Sequence, residues 1–211
     1  MLLLGIREPE RQAQERRRNP IRRDNLVRLG PAYWSVVGIG AVFTLARFSE
    51  AFLVLRALQT GIPTALVPLV MVAMGGVYAL TAYPFGKLSD RVSHRLMLAA
   101  GLAVLVAADL VIASSQGSTA LFAGVALWGV HMGMTQGLLA AMVADTSPAD
   151  LRGTAFGFFN LVSGVALLAA SAIAGLLWDR LGPSWTFYAG AGFSLVALVG
   201  LGLRGRQPSV R

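Results

Sequence analysis

The sequence predicts an all-α membrane protein with six transmembrane helices, on three observations. Of its 211 residues 55% are apolar and only 13% are charged, with a mean hydropathy of +0.65. A soluble domain carries about 25% charged residues and could not cover its surface with half that supply. Six apolar stretches, each near the ~20 residues that a bilayer crossing takes, fill the chain from Tyr33 onward. The basic residues are also unevenly placed: eight of the 18 (Arg7, Arg11, Arg16, Arg17, Arg18, Arg22, Arg23 and Arg28) fall in the first 28 positions. The chain has no cysteine, which excludes a disulfide scaffold, a thiolate zinc site and a cysteine nucleophile. His94 and His131 are its two histidines, too few for a histidine-only metal site. Neither a cofactor nor a metal is expected.

The spans are expected at residues 33–58, 65–85, 96–113, 120–143, 153–178 and 186–203. Turn-forming residues separate them: Gly61-Ile62-Pro63, the charged run from Lys87 to Arg95, Ser114 to Ser118, Ser147-Pro148 and Gly182-Pro183-Ser184. Apolar runs of this length without strand alternation read as helices, and lipid admits only helices or closed barrels. Short loops rich in Lys and Arg stay in the cytoplasm. With the N-terminus inside, 15 of the 18 basic residues fall on inner segments, and six crossings return the C-terminus to the same side. The expected location is a cell (inner) membrane, with both termini cytoplasmic.

Residues 1–32 precede the spans. Residues 1–6 form an apolar run too short for a signal peptide and without a basic segment before it; they read as the end of an earlier helix. Residues 7–28, with Pro9, Pro20 and an Arg-rich middle, read as a solvated basic linker. Six spans after an arginine run favour a topology marker over a nucleic-acid contact. Residues 33–204 form the expected transmembrane domain and 205–211 a cytosolic tail.

The loop after the second span runs Gly86-Lys87-Leu88-Ser89-Asp90-Arg91-Val92-Ser93-His94-Arg95. It resembles the cytoplasmic signature G-x-L-[AS]-D-R-x-G-R-[RK] of the major facilitator superfamily, bacterial type. Gly86, Leu88, Ser89, Asp90, Arg91 and Arg95 match, while Ser93 stands where that family has its turn glycine and His94 where it has a base. The resemblance implies that the spans are helices seven to twelve of a twelve-helix carrier, the C-terminal six-helix bundle. Residues 1–6 would then end helix six, and 7–28 would join the halves.

A second junction, from Asp145 to Gly157, is similar to the helix ten to eleven loop of such carriers. Ser147 is expected as N-cap, Pro148 as the first helical residue and Asp150 as the third residue of a capping box. Resemblance implies that Asp90 faces this junction, where Arg152 and the helix start hold it in one carrier state. Gly86, Asp90, Arg91, Arg95, Asp150 and Arg152 are the candidate cytoplasmic gate. Packing faces are expected along Gly129, Gly133 and Gly137 of the fourth span. A second face follows Gly153, Gly157, Asn160, Gly164, Ser171 and Gly175 of the fifth, where small residues let backbones approach.

A charge at mid-membrane costs about 2.5–3.5 kcal/mol on insertion scales, so such residues default to functional hypotheses. Arg47 and Glu50 lie three apart near the middle of the first span. They either pair with each other or handle substrate or a proton. His131, midway along the fourth span, is either hydrogen-bonded structure or a proton-coupling group. Gln136, Thr135 and Asn160 are placed to hydrogen-bond a ligand. Arg56 is expected to snorkel outward, and Asp109 to reach the interface or a structural hydrogen bond.

No G-x-x-x-x-G-K-[ST], G-x-S-x-G or H-E-x-x-H occurs. Any transport would therefore be secondary, and the resemblance implies not an enzyme but a carrier of a small molecule, working by alternating access and coupled to protons in export. It would need an N-terminal six-helix half or a second copy of itself. The alternative is a non-transporting membrane protein, an assembly or sensory factor.

Overall fold

The computed structural model describes residues 23–204. The expected helix end at 1–6, most of the basic linker and the tail at 205–211 lie outside them. Among the described residues there is no strand, as the apolar runs require. Helices α1 (Arg23–Arg28), α2 (Gly30–Ala46) and α3 (Ala51–Gln59) come first. A 3-10 turn at Thr64–Leu66 leads into α4 (Pro68–Ser89), followed by α5 (His94–Ser114) and α6 (Ser118–Asp145). A second turn at Ala149–Leu151 leads into α7 (Arg152–Leu181), and α8 (Pro183–Arg204) closes the bundle.

Five stretches are long and apolar enough to cross a membrane: Gly30–Gln59, Thr64–Ser89, His94–Ser114, Ala149–Leu181 and Pro183–Gly202. They fall on five of the six expected spans. The remaining one is α6, whose 28 residues would reach about 42 Å at 1.5 Å per residue. His131, Thr135, Gln136 and four glycines (Gly124, Gly129, Gly133, Gly137) dilute its apolarity. Position explains this composition: α6 packs most extensively against both α4 and α5, and α5 also packs on α8. Helix α6 faces protein more than lipid, so small and polar residues are tolerated there.

The glycines mark how close those contacts are. A Cβ on Gly129 would stand 2.7 Å from the Met74 carbonyl oxygen of α4, and one on Gly133 would strike Thr81. Gly137 meets nothing, so the expected stripe packs at two of its three glycines. The α7 stripe fares differently. Gly153, Gly157 and Gly164 face open space, Gly175 barely reaches Phe52, and Asn160 is exposed. Helix α7 packs chiefly on α2 and buries Ala155, Ala166, Ala170 and Ala174 instead.

The first span is not one continuous helix, as the sequence predicts, but two. Helix α2 stops at Arg47, whose backbone is extended (φ −114°, ψ 96°), and α3 starts at Ala51. No glycine or proline marks this break; tertiary contacts hold it. The Ser49 amide donates to Ser171 Oγ of α7 at 3.2 Å, and the Ala51 amide to Ser49 Oγ at 3.3 Å. The Phe48 ring packs edge-on against Phe52, Trp128 and Phe187, with centroids 5.4–5.5 Å apart. Ser171 thus serves as a backbone partner rather than as a packing residue.

Overpacking a filled contact costs about 1–3 kcal/mol. Gly129→Ala should lower stability by that order in thermal unfolding in detergent, because the Met74 carbonyl cannot retreat like a side chain. Gly137→Ala should leave the transition unchanged or raise it. Equal transitions for the two variants would sink this account of the α4–α6 contact.

Candidate functional site

The break brings Arg47 and Glu50 together, their nearest N and O atoms 3.9 Å apart and both side chains half-buried. They line a pocket of 430 Å³ with Phe48, Ser49, Ala51, Val54, Met71 of α4 and Leu167 of α7. Three elements therefore converge on a polar pair inside an otherwise apolar bundle. Tyr78 of α4 and His131 of α6 lie within electrostatic range of Arg47. At 3.9 Å the pair is held by charge more than by a directed hydrogen bond, which leaves donors and acceptors free for a ligand.

His131 is buried, and its Nδ1 lies 2.8 Å from the Gly101 carbonyl oxygen of α5. A carbonyl only accepts, so Nδ1 carries the proton and ties α6 to α5. Thr135 is likewise committed: its hydroxyl donates to the His131 carbonyl at 2.8 Å, within the helix. That corrects the expectation that it serves a ligand. Gln136 is half-buried and Asn160 exposed, and neither lines the pocket.

Arg56 does not snorkel. Its guanidinium donates to the carbonyls of Ile112, Ala113 and Ser115 at 2.9–3.3 Å, closing the C-terminal end of α5, where a cation is favoured. Asp109 neither reaches an interface nor finds a hydrogen bond. It is 0% exposed, and both carboxyl oxygens lack a partner.

The cytoplasmic signature is assembled differently from expectation. Arg95 donates to the Leu201 and Gly202 carbonyls of α8, each at 2.7 Å. Ser93, at φ −62°, is the N-cap of α5 and accepts from the Leu96 amide. No left-handed residue is required there, so serine replaces the turn glycine without strain. Gly86 accepts the Ser89 hydroxyl, while Asp90, Arg91 and Arg152 are exposed.

Among the described residues the ion pairs are Arg47–Glu50 and Arg28–Asp150, the latter at 2.7 Å. The expected hold of Arg152 on Asp90 is not made in this conformation. Nor is the capping box, because Ser147 Oγ turns back to the Val143 carbonyl and Asp150 faces Arg28 instead. The letters Gly200, Gly202 and Gly205 match a dinucleotide fingerprint. Gly200 and Gly202 lie within α8, Gly205 lies outside the described residues, and no strand precedes them among the described residues, which is not the strand–turn–helix setting of that fingerprint.

Comparison with known proteins gives a match to the Major Facilitator Superfamily over residues 36–211. The chain is 33% identical over 165 residues to an uncharacterized MFS-type transporter of Methanocaldococcus jannaschii, covering 75% of this chain and 41% of that protein. It is 28% identical over 172 residues to the inner membrane transport protein YajR of Escherichia coli, covering 79% of this chain and 37% of that one. It is 27% identical over 124 residues to the multidrug transporter protein MdtP of Bacillus subtilis, covering 58% and 23%. The chain thus spans about two fifths of the length of the first two relatives.

A net hydrogen bond contributes about 0.5–1.5 kcal/mol. His131→Leu removes the bond from α6 to the Gly101 carbonyl, which keeps its helical partner within α5, and should lower thermal stability by that order in detergent. A transition within error of the wild type would show that the tie from α6 to α5 carries no weight.

Proposed function

Since the chain belongs to the Major Facilitator Superfamily, we propose that it supplies the C-terminal six-helix half of a secondary carrier that exports a small molecule by alternating access, driven by protons. The observation that carries this reading is the helix break at residues 47–50, with Arg47 and Glu50 on a 430 Å³ pocket. Carriers of this kind bind substrate near the bilayer midplane, often at discontinuous helices. A charged pair at that depth is costly unless it serves a function. Arg47 and Glu50 handle substrate or its counter-charge, while His131 positions α6 behind them. Export is favoured by the likeness to a relative named as a multidrug transporter. Proton coupling fits a sequence without the nucleotide-binding loop that ATP-driven transport uses.

The open small-residue face of α7, with Gly157, Asn160 and Gly164, is where the missing half packs, whether an N-terminal six-helix unit or a second copy of this chain. Asn160 and Gln136 then join the cavity from the sides that are open here. The gate residues Gly86, Asp90, Arg91, Arg95, Asp150 and Arg152 belong to the cytoplasmic end, and the unmade Asp90–Arg152 contact marks a state with that gate released.

The chain has no native cysteine, so single substitutions report topology cleanly. In whole cells Gln116→Cys should react with an impermeant maleimide, whereas Ser89→Cys should react only after the membrane is opened. The reverse pattern would overturn the orientation. In everted vesicles energised by a pH gradient, ethidium accumulation should fall roughly tenfold or more in Arg47→Gln/Glu50→Gln, about 1.4 kcal/mol in the barrier. Removing both charges leaves neither unpaired. Wild-type rates in that variant would remove the pair from the transport cycle, and no gradient-driven flux in the wild type, with and without a co-expressed N-terminal six-helix half, would remove the export reading.

A further inference from the structure

The pocket at the helix break does not account for Asp109. Its carboxyl sits in the C-terminal third of α5, sealed from solvent, with neither oxygen hydrogen-bonded. Helix α8 comes close enough there that a Cβ on Gly190 would stand 2.7 Å from Asp109 Oδ2 and 2.8 Å from Phe48 Cε1. The carboxyl and the Phe48 ring therefore share the space over Gly190. Phe48 is also one of the residues that line the pocket of Arg47 and Glu50. Phe48 belongs to the non-helical link between α2 and α3, the part of this span with fewest helical hydrogen bonds to restrain it. Two further groups near this ring are buried without partners: Trp128 Nε1, whose ring touches Phe48, and the hydroxyl of Ser194, one helical turn beyond Gly190.

No ionised group faces the carboxyl. Helix α8 presents Gly190, the link presents Phe48, and α6 packs on the neighbouring Ala108 and Ile112 through Gly124. Arg56 spends its guanidinium on the carbonyls of Ile112, Ala113 and Ser115, with Tyr188 of α8 in its range. His131 is bonded to Gly101, eight residues back along α5, about 12 Å along the axis. Arg47 and Glu50 pair with each other at the helix break. An isolated carboxylate in such surroundings costs far more than a neutral acid.

We propose that Asp109 is a proton-binding site of this protein, occluded behind Phe48, and that this conformation holds it as the neutral carboxylic acid. The step is a plain proton transfer. When the link at residues 47–50 moves and Phe48 swings from Gly190, the Asp109 O–H gives its proton to water entering from the pocket and is left as a carboxylate. Reprotonation from water allows the ring to close. The functional consequence rests on the proton-coupled reading above, since it makes Asp109 the coupling group and leaves Arg47 and Glu50 to the substrate. The site itself does not depend on transport.

Infrared difference spectroscopy of the full chain in liposomes tests it directly. At pH 7.5 the wild type should show a protonated-carboxyl C=O band that is missing in Asp109→Asn and displaced in Asp109→Glu. In heavy water the band should shift slowly in the wild type and at least tenfold faster in Phe48→Ala. A band retained in Asp109→Asn, or an ionised Asp109 at pH 7.5, overturns the site. Equal exchange rates overturn the Phe48 gate. In vesicles, Asp109→Asn should abolish pH-driven ethidium flux yet keep ethidium exchange across the membrane without a gradient. Unchanged pH-driven flux in that variant overturns the coupling role. Absent flux in the wild type overturns the transport reading instead, and the infrared band still decides the site.

Discussion

A peptide group surrounded by hydrocarbon has no water to bond, so its N–H and C=O must be satisfied within the protein. Continuous helices meet that demand by themselves, and most of this bundle is built of them. The link at residues 47–50 is the exception, and the neighbouring elements are arranged around it. Ser171 of α7 accepts the Ser49 amide, and Phe48 is clamped by Phe52, Trp128 and Phe187. Non-helical backbone at membrane depth is tolerated where it is buried in protein or lines a polar cavity; here it does both. The pocket of Arg47 and Glu50 exists because the helix stops there, since a continuous helix would fill that space with its own turn.

The same economy governs the other charges of the bundle. Helix C-termini carry unsatisfied carbonyls and a partial negative charge, and two arginines answer them. Arg56 closes α5 and Arg95 closes α8. Both draw elements together without the cost of a buried ion pair, because a carbonyl needs no counter-charge of its own. His131 adds a second donor to the mid-helix Gly101 carbonyl and likewise ties two helices together. Of the intramembrane ionisable groups, that leaves the Arg47–Glu50 pair and Asp109 without a structural bond strong enough to account for them.

Much of the architecture was legible in the sequence, because hydropathy and turn residues act locally. The helical class, five apolar spans and the junctions between them follow from composition and from punctuation such as Gly61, Pro63, Gly182 and Pro183. The break at residues 47–50 was not legible, since Arg-Phe-Ser-Glu contains no helix breaker and its partner Ser171 lies 122 residues away. Nor was the isolation of Asp109. Its place near one end of a span suggests snorkelling, but α5 turns that face toward α8 and the glycine at 190 removes the room to escape. Ser147 and Asp150 have the spacing of a capping box, yet a nearby carbonyl and Arg28 offer them alternatives that spacing cannot weigh. The Gly129–Gly133–Gly137 stripe is regular in sequence but packs only as far as α4 follows α6.

These failures share one cause, and it bears on mechanism. Ser147 apart, each turns on how another helix packs against the residue, which is also the kind of contact that a change of carrier state can exchange. Arg28 with Asp150, Ser49 with Ser171, and Phe48 over Gly190 all join elements far apart in the chain. The backbone bonds inside each helix, by contrast, keep their partners when helices move as rigid bodies. A carrier that rocks between two states must spend its conformational freedom at the former contacts and protect the latter. The link at residues 47–50 is the place where both requirements meet. It has few helical bonds to lose, and its one aromatic residue both lines a polar pocket and packs beside a buried acid at Gly190. On the proposal made above, movement there would change solvent access to Asp109 without unwinding any helix.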